Sequence, residues 1–459
     1  MQDTVHETSA RTGTTQTLQA AVAARIDAIT GWKVRYFAPL VLGLIMLGDS
    51  WDSILIAYVM PSLRQEWMLT PLQIGTIISA GFAGQFFGSL LLGPAAERFG
   101  RMPVFNISIV VMCLLSIACA LAPGREVFLS LRFLEGVAIG GALPVCISYV
   151  NELAPTKTRG RYFSLFQFIM VSGYSLASIA SAYIIPAFGW RAMFYVGAAP
   201  MLLIPLVMLM LPESPRWLAK IGRVGAANLA LTKLGTAPVD AALPHERAVA
   251  ALRIPMLGLF APAYRRRTVV VSMLWFFASM VSFGLATWAP SLYVEVFHLK
   301  IEDALRYSAL AGAIYLFVPL VFAAIIDRVG RRWPAILGAA LSCTCLVGLV
   351  LIDHTQTPLV VTLITTGWVA AASGSIILWP YSAEIFPTHI RSTGLGLASS
   401  LARGASMLTP LAVAGVLTAT GSVRVVFGLL AICAAIVTLV WLLFTRETAR
   451  RSLEELGGG

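Results

Sequence analysis

Charged side chains are scarce in this 459-residue chain, with Asp, Glu, Lys and Arg together supplying 12% of it against 58% hydrophobic residues. A water-soluble core of this length cannot hide so much apolar surface, so the composition excludes a soluble globule and places the chain in a bilayer. Histidine is rarer still: His6, His245, His298, His354 and His389 are scattered through loops, ends and the amino-terminal tail, with no cluster to hold a metal or serve as a base. The six cysteines (Cys113, Cys119, Cys146, Cys343, Cys345, Cys433) fall inside apolar runs without metal-ligand spacing. They read as small buried hydrophobes, not disulfides or ligands. A Gly-rich phosphate loop ending in Lys-Ser/Thr is missing, and so is a nucleophile elbow, which argues against an enzyme. The net charge of +11 would suggest nucleic acid in a soluble protein; in a membrane protein it directs attention to where the bases lie.

What the chain does have is long apolar runs. They cover about 36–60, 72–95, 102–122, 127–150, 162–186 and 190–211, then about 268–292, 307–326, 333–352, 359–382, 392–418 and 423–445. Each is near the ~20 residues a helix needs to cross hydrocarbon, so the expected fold is an all-α membrane protein of twelve spans in two sets of six. The organisation that follows is a polar segment at 1–32, a six-helix bundle at 33–211, a linker with short helices at 212–267, a second bundle at 268–446 and a tail at 447–459. Residues 1–32 are too charged for a signal peptide, and only Leu18–Ile29 looks like a short amphipathic helix. Of the 33 Lys and Arg, all but eight flank the spans on the side that holds both ends and the linker. Arg64, Arg125, Arg191, Lys300, Arg306 and Arg424 lie on the other side, and Arg132 and Arg403 lie within spans. Both termini are therefore expected in the cytoplasm.

The two halves are copies. Glu384, Pro387, Thr388 and Arg391 in AEIFPTHIRSTG repeat the spacing of Glu152, Pro155, Thr156 and Arg159 in NELAPTKTRG, 232 residues earlier. Glu97-Arg98-Phe99-Gly100-Arg101 returns as Asp327-Arg328-Val329-Gly330-Arg331 after 230 residues. These polar turns between apolar runs set acids near arginines at helix ends, as a gate requires. Glu97, Arg98, Arg101, Glu152 and Arg159 with Asp327, Arg328, Arg331, Glu384 and Arg391 are the expected cytoplasmic gate.

Charge inside the membrane is costly, so function is sought there. Asp49 and Asp52 stand one turn apart on the first span. Two carboxylates so close repel, and one is expected to carry a proton at ordinary pH unless a cation sits beside it. The candidate cation is Arg132 on the fourth span, where Gly136, Gly140 and Gly141 allow another helix to approach closely. Either Arg132 pairs with Asp52 and couples protonation to movement, or Glu135, one turn away, neutralises it in a static pair. Arg403 on the eleventh span has no acid within a turn. Its planar fork suits a carboxylate, so its anion is either the substrate or a group from another span. Trp275, Phe276 and Phe283 on the seventh span and Trp379 and Tyr381 on the tenth could wall a pocket for a flat organic anion, although most membrane aromatics face lipid. Gln167 on the fifth span is a polar candidate, since an amide there needs a partner.

GPAAERFGR and IDRVGRR resemble the loop motif of the major facilitator superfamily, with Glu97 where aspartate is usual. The resemblance covers about Trp32 to Arg451 and implies two pseudo-symmetric six-helix bundles rocking about a central site. PESPRWL after the sixth span is shared by sugar porters and organic-ion transporters. EIFPTHIRSTGLGLASSLARGASMLTP is similar to the organic anion transporters at Glu384, Pro387, Thr388, Arg391, Thr393, Gly394, Arg403 and Pro410, and it puts their substrate-binding arginine on Arg403. Trp275-Phe276, Gly284 and Trp379 match the same branch, which includes synaptic-vesicle-protein-like and bacterial nicotinate-type and aromatic-acid:proton symporters. Sugar porters share Gln167 through Gly173 and the proton-coupling pair Asp52 and Arg132. Their seventh helix carries a glutamine and asparagine signature, and WFFASMVSFGLATW here has neither residue.

The resemblance implies a proton-coupled symporter of a small aromatic or heteroaromatic carboxylate such as nicotinate or a hydroxybenzoate, working as a monomer in a bacterial inner membrane. Protons are the coupling ion; no cofactor, metal or nucleic acid is expected. The alternatives are a facilitator or exporter of organic cations or drugs, with Asp49 and Asp52 as counter-ions, and a receptor that binds without transporting.

Overall fold

The computed structural model describes residues 18–29, 31–155, 159–240, 256–352, 356–387 and 390–448. Among them twelve helices are long and apolar enough to cross a membrane. Spans 1 to 6 are Val34–Trp67, Pro71–Phe99, Arg101–Ala120, Arg125–Leu153, Gly160–Phe188 and Arg191–Met210; spans 7 to 12 are Arg265–Glu295, Ile301–Phe322, Arg332–Leu351, Thr357–Ile385, Thr393–Thr420 and Val423–Phe444. Large apolar side chains cover the outside, including Leu91, Tyr183, Leu202, Leu209, Leu337 and Leu443. That surface is the one a multi-pass membrane protein presents to lipid.

Several helices run further than their apolar stretches. The seventh begins at Arg265, inside the expected linker, and the eighth runs Ile301–Val329. Hydropathy marks what meets hydrocarbon, whereas helical hydrogen bonding continues past it. Span 6 is instead broken into Arg191–Gly197, a 3₁₀ turn at Ala199–Leu203, and Ile204–Met210. The break falls at Pro200, whose ring fills the space left by Gly48 on span 1.

Within the first bundle, span 2 packs on span 4 and span 1 on span 5; within the second, span 9 packs on spans 10 and 12, and span 7 on span 11. The span 2–span 4 contact is glycine-lined on both sides. A Cβ on Gly84 would run into the Phe133 carbonyl, and one on Gly136 or Gly140 into the backbone of Gly81 or Gln85. The bundles meet through spans 2 and 11, 5 and 8, and 1 and 7.

Twelve crossings are an even number, so the described residues before span 1, after span 12 and between spans 6 and 7 share one face, the linker face. The apolar core reveals how the bundles meet. Toward the opposite face one cluster is continuous across both bundles, from Ile54, Ile77 and Phe128 to Val281, Leu346 and Phe427. Toward the linker face it splits into one cluster per bundle, centred on Ile45, Phe105 and Tyr149 and on Leu274, Tyr381 and Trp441. The molecule is thus sealed on the far face and divided on the linker face. Arg64 of span 1 and Glu295 of span 7 close the far side with an ion pair of 2.6 Å between bundles.

The repeat is carried into the caps of spans 3 and 9. Gly100 and Gly330 precede them at φ of 107° and 90°, a backbone region that favours glycine. Glu213 accepts from the Met102 N–H at 3.2 Å, and Glu447 accepts from the Arg331 and Arg332 N–H groups at 2.9 and 3.0 Å. A carboxylate at a helix N-terminus satisfies donors that have no partner within the helix. Burial raises the Glu213 carboxyl above the usual range, while the N–H groups of Ser214, Met102 and Arg101 act against that shift.

Candidate transport site

The polar residues lie at the level where the core divides. On span 1, Met46 belongs to the linker-side cluster and Trp51 to the shared one, and Asp49 falls between them. On span 11, Ala398 and Ala405 bracket Arg403 in the same way, and on span 7 Ala278 and Met280 bracket Ser279. Side chains placed there have apolar packing above and below and a cleft between the bundles beside them.

Arg132 makes two carboxylate contacts from a site 3% exposed. Its Nη1 donates to Asp52 Oδ2 at 3.0 Å, to Asp52 Oδ1 at 3.2 Å and to Glu135 Oε2 at 2.6 Å. Both pairings left open by the sequence are therefore present together. The guanidinium also lies 5.9 Å from the centre of the Phe194 ring, and Gly81 leaves it room from span 2, since a Cβ there would meet Nη2 at 3.2 Å. Asp49 is buried too, and its Oδ1 has no hydrogen-bond partner among the described residues.

Arg403 Nη1 donates to Gln85 Oε1 of the other bundle at 3.5 Å, and Gln85 Nε2 donates to Ser53 Oγ at 3.1 Å. The acid whose charge acts on Arg403 is Asp49 of the first bundle, and the neutral Tyr174 phenol lies in the same surroundings. No local acid neutralises it; an acid from another span acts on it at longer range. Gln85, Ser53 and Tyr174 were not among the sequence candidates. Gln85 carried the same signal as Gln167, an amide in mid-span, and its glycine-rich surroundings hid it. Gln167 itself is half-buried on span 5.

The aromatic candidates separate. Trp275 donates from Nε1 to Ser382 Oγ at 2.9 Å and packs edge-on against Trp379, with ring centres 4.8 Å apart. Phe276 is half-buried beside Phe277 at 5.4 Å. Phe283 packs across the bundle interface on Phe82 at 5.3 Å, on the closed side. Tyr381 is a correction: it is 1% exposed and packs on Trp441 in the linker-side core of the second bundle, so it walls no cleft. Sequence order made it look like a neighbour of Trp379, but two residues on a helix differ by nearly 200° in direction.

The gate residues cluster within each bundle on the linker face. Arg101 pairs with Glu152 at 2.7 Å and Glu97 at 3.2 Å, and Lys220 of the linker pairs with Glu97 at 2.9 Å. Ser214 donates to Glu152 as well. In the second bundle Arg331 pairs with Glu384 at 3.2 Å. These ion pairs join the two loop motifs of one bundle, a link that spacing inside a single loop does not reveal. Arg391 donates to the Phe386 carbonyl at 3.4 Å. Arg98 and Arg328 are exposed, with Arg98 over the Phe99 ring at 5.3 Å. The side chains of Arg159 and Asp327 lie outside the described residues, as do Thr156 and Thr388.

The helical architecture and the buried charges define a membrane transporter. The chain belongs to the sugar (and other) transporter family of the major facilitator superfamily, whose model matches residues 21–457. It is 28% identical over 444 residues to the niacin transporter NiaP of Acinetobacter baylyi, covering 95% of this chain and 99% of that one. It is 31% identical over 359 residues to a gallate transporter of Pseudomonas putida, covering 77% and 79%. The 4-hydroxybenzoate transporter PcaK of Acinetobacter baylyi is 28% identical over 385 residues, covering 81% and 82%. Among solved structures, the D-xylose-proton symporter superposes with a TM-score of 0.74 at 22% identity, over 91% of this chain and 100% of that one. The chain is a transporter and not an enzyme, and it carries the nicotinate and aromatic-acid likeness along most of its length.

Proposed function

We propose that the protein is a proton-coupled symporter that takes up a small aromatic or heteroaromatic carboxylate, such as nicotinate or a hydroxybenzoate, across a bacterial inner membrane. The observation that carries this reading is Arg403, a guanidinium set at the apex of the cleft, held loosely by a neutral amide and lacking an adjacent acid. A carboxylate entering the cleft would give it the bidentate partner that Gln85 does not. Trp379, edge-on to the buried Trp275, supplies exposed aromatic surface on the linker side, and the niacin, gallate and 4-hydroxybenzoate transporters among the relatives are named for flat acids of this kind. Asp52 with Arg132 would couple the proton. The gate clusters would latch the linker face, the cytoplasmic side by its basic loops, when the bundles rock to open outward. The protein would act as a monomer and need no cofactor.

The test is uptake of labelled nicotinate and 4-hydroxybenzoate into proteoliposomes, with and without an inward proton gradient. Accumulation only with the gradient, abolished in Asp52→Asn while exchange continues, is the expected result. If neither acid moves under any gradient, the reading is wrong. A second reading, organic-cation transport, is favoured by the unpartnered Asp49 oxygen, and it requires transport to survive Arg403→Ala.

A further inference from the structure

Two buried carboxylates share one guanidinium. Asp52 is 1% exposed, Glu135 0% and Arg132 3%, and the acids reach the same nitrogen, Nη1, from spans 1 and 4. With both acids ionised the group carries a net charge of −1 while buried, where an uncompensated charge is expensive. The other groups facing it do not supply a cation. Cys119 of span 3 donates its thiol to Glu135 Oε2 at 3.5 Å, with the Cys113 thiol on the same span; span 1 adds a further acid, Asp49, span 6 offers the Phe194 ring, and span 2 offers Gly81 and the neutral Gln85. The charges acting on Glu135 are those of Asp52 and Arg132. Glu135 Oε1 is buried, and no donor among the described residues reaches it. Asp52 and Glu135 meet at one nitrogen, at 3.0 and 2.6 Å, so the two carboxyl groups are close neighbours. Two carboxylates so placed repel, and one proton held between them removes the repulsion.

We propose that Asp52 and Glu135 together hold one exchangeable proton against Arg132, and that this shared proton, with Glu135 as its second seat, is the one the transporter moves. The inference rests on the symport reading. With the proton in place, one carboxylate balances Arg132 and the triad is neutral. When the bundles open to the linker face and the O–H bond breaks, its electron pair stays on the carboxylate, the proton leaves to water, and the triad is left at −1 until it is reloaded from the far side. Glu135 is thus more than a support that orients Arg132, which a glutamine would replace with little loss.

Three measurements test this on the full-length protein. The infrared spectrum of the substrate-free native protein should show the C=O stretch of a protonated carboxyl that shifts in deuterated water and is lost in Glu135→Gln. Its absence in the native protein means both acids are ionised and overturns the proposal. In proteoliposomes with a trapped pH dye, nicotinate or 4-hydroxybenzoate entry should carry protons in the native protein and in Glu135→Asp, and none in Glu135→Gln. Native proton movement that persists undiminished in Glu135→Gln refutes the shared proton and leaves the symport reading standing. Substrate entry without proton movement in the native protein removes both. Should Glu135→Gln fail to fold, the native spectrum together with the Glu135→Asp proton count still decides, and loss of coupling in Glu135→Asp with substrate exchange retained counts against the proposal.

Discussion

Arg403 and Arg132 are both intramembrane arginines, but their surroundings give them different work. Arg132 has two acids at 2.6–3.2 Å, so its charge is already balanced by the protein. Among the described residues Arg403 has one hydrogen bond, to the Gln85 amide at 3.5 Å, with the Asp49 charge acting at longer range. Replacing Arg403 with alanine is expected to cost about 3 kcal/mol of substrate binding, roughly 100-fold in KM for uptake of the acid. Arg403→Lys keeps the charge without the planar fork and should cost about 1.4 kcal/mol, roughly tenfold. Concentration dependence of initial uptake in vesicles checks both, and equal effects of the two variants would mean that the charge without the planar fork contributes nothing. Gln85→Leu removes the neutral partner of Arg403 and the donor to Ser53 together, and it should raise KM by less than Arg403→Ala does.

The element whose packing the sequence anticipated is span 4. Gly136, Gly140 and Gly141 were expected to admit a neighbour, and the neighbour is span 2, which answers with Gly81, Gly84 and Gly88. Gly88 would drive a Cβ into the Val137 carbonyl, and Gly141 would drive one into Leu92. The two helices are therefore in backbone contact, which also brings Arg132 close to Gly81. Gly140→Val should destabilise the bundle by about 1–3 kcal/mol, because the helices must separate to accept the side chain. The check is the thermal unfolding midpoint of the solubilised protein. Gly160→Ala, at a glycine with open space around it, should leave that midpoint within the scatter of the measurement.

At the scale of the whole molecule, the bundles touch on one face and part on the other. Arg64 and Glu295 join them where they touch, with Arg64 also donating to the Leu69 carbonyl at 3.3 Å. The arginine side chain is 35% exposed, so solvent weakens the pair to about 1 kcal/mol. Arg64→Ala should then shift the balance toward opening on the far face by roughly fivefold. The double exchange of Arg64→Glu with Glu295→Arg should reverse the shift. Distances between spin labels on the far ends of spans 1 and 7 measure it, and an unchanged distribution in Arg64→Ala would show that apolar packing alone seals this face. Ser178, donating to the Ser308 carbonyl at 2.5 Å between spans 5 and 8, is one polar contact that would remain beside the apolar packing.

Membrane residence, twelve spans, the duplication and the buried charges were all legible in the chain, because hydropathy and the cost of a buried charge act locally along it. The loop motifs showed which residues belong to the gates, but their partners, Arg101 with Glu152 and Arg331 with Glu384, come from different loops brought together by packing. Tyr381 failed as a pocket residue because direction around a helix depends on what the helix packs against, here Trp441 of span 12. Gln85 was passed over because its role exists only once span 2 lies against span 11. The pattern of apolar and charged residues thus dictates that the chain crosses a bilayer twelve times with costly charges inside. Only the tertiary structure decides that Arg132 serves two acids while Arg403 has none adjacent, since that depends on distances between helices far apart in sequence.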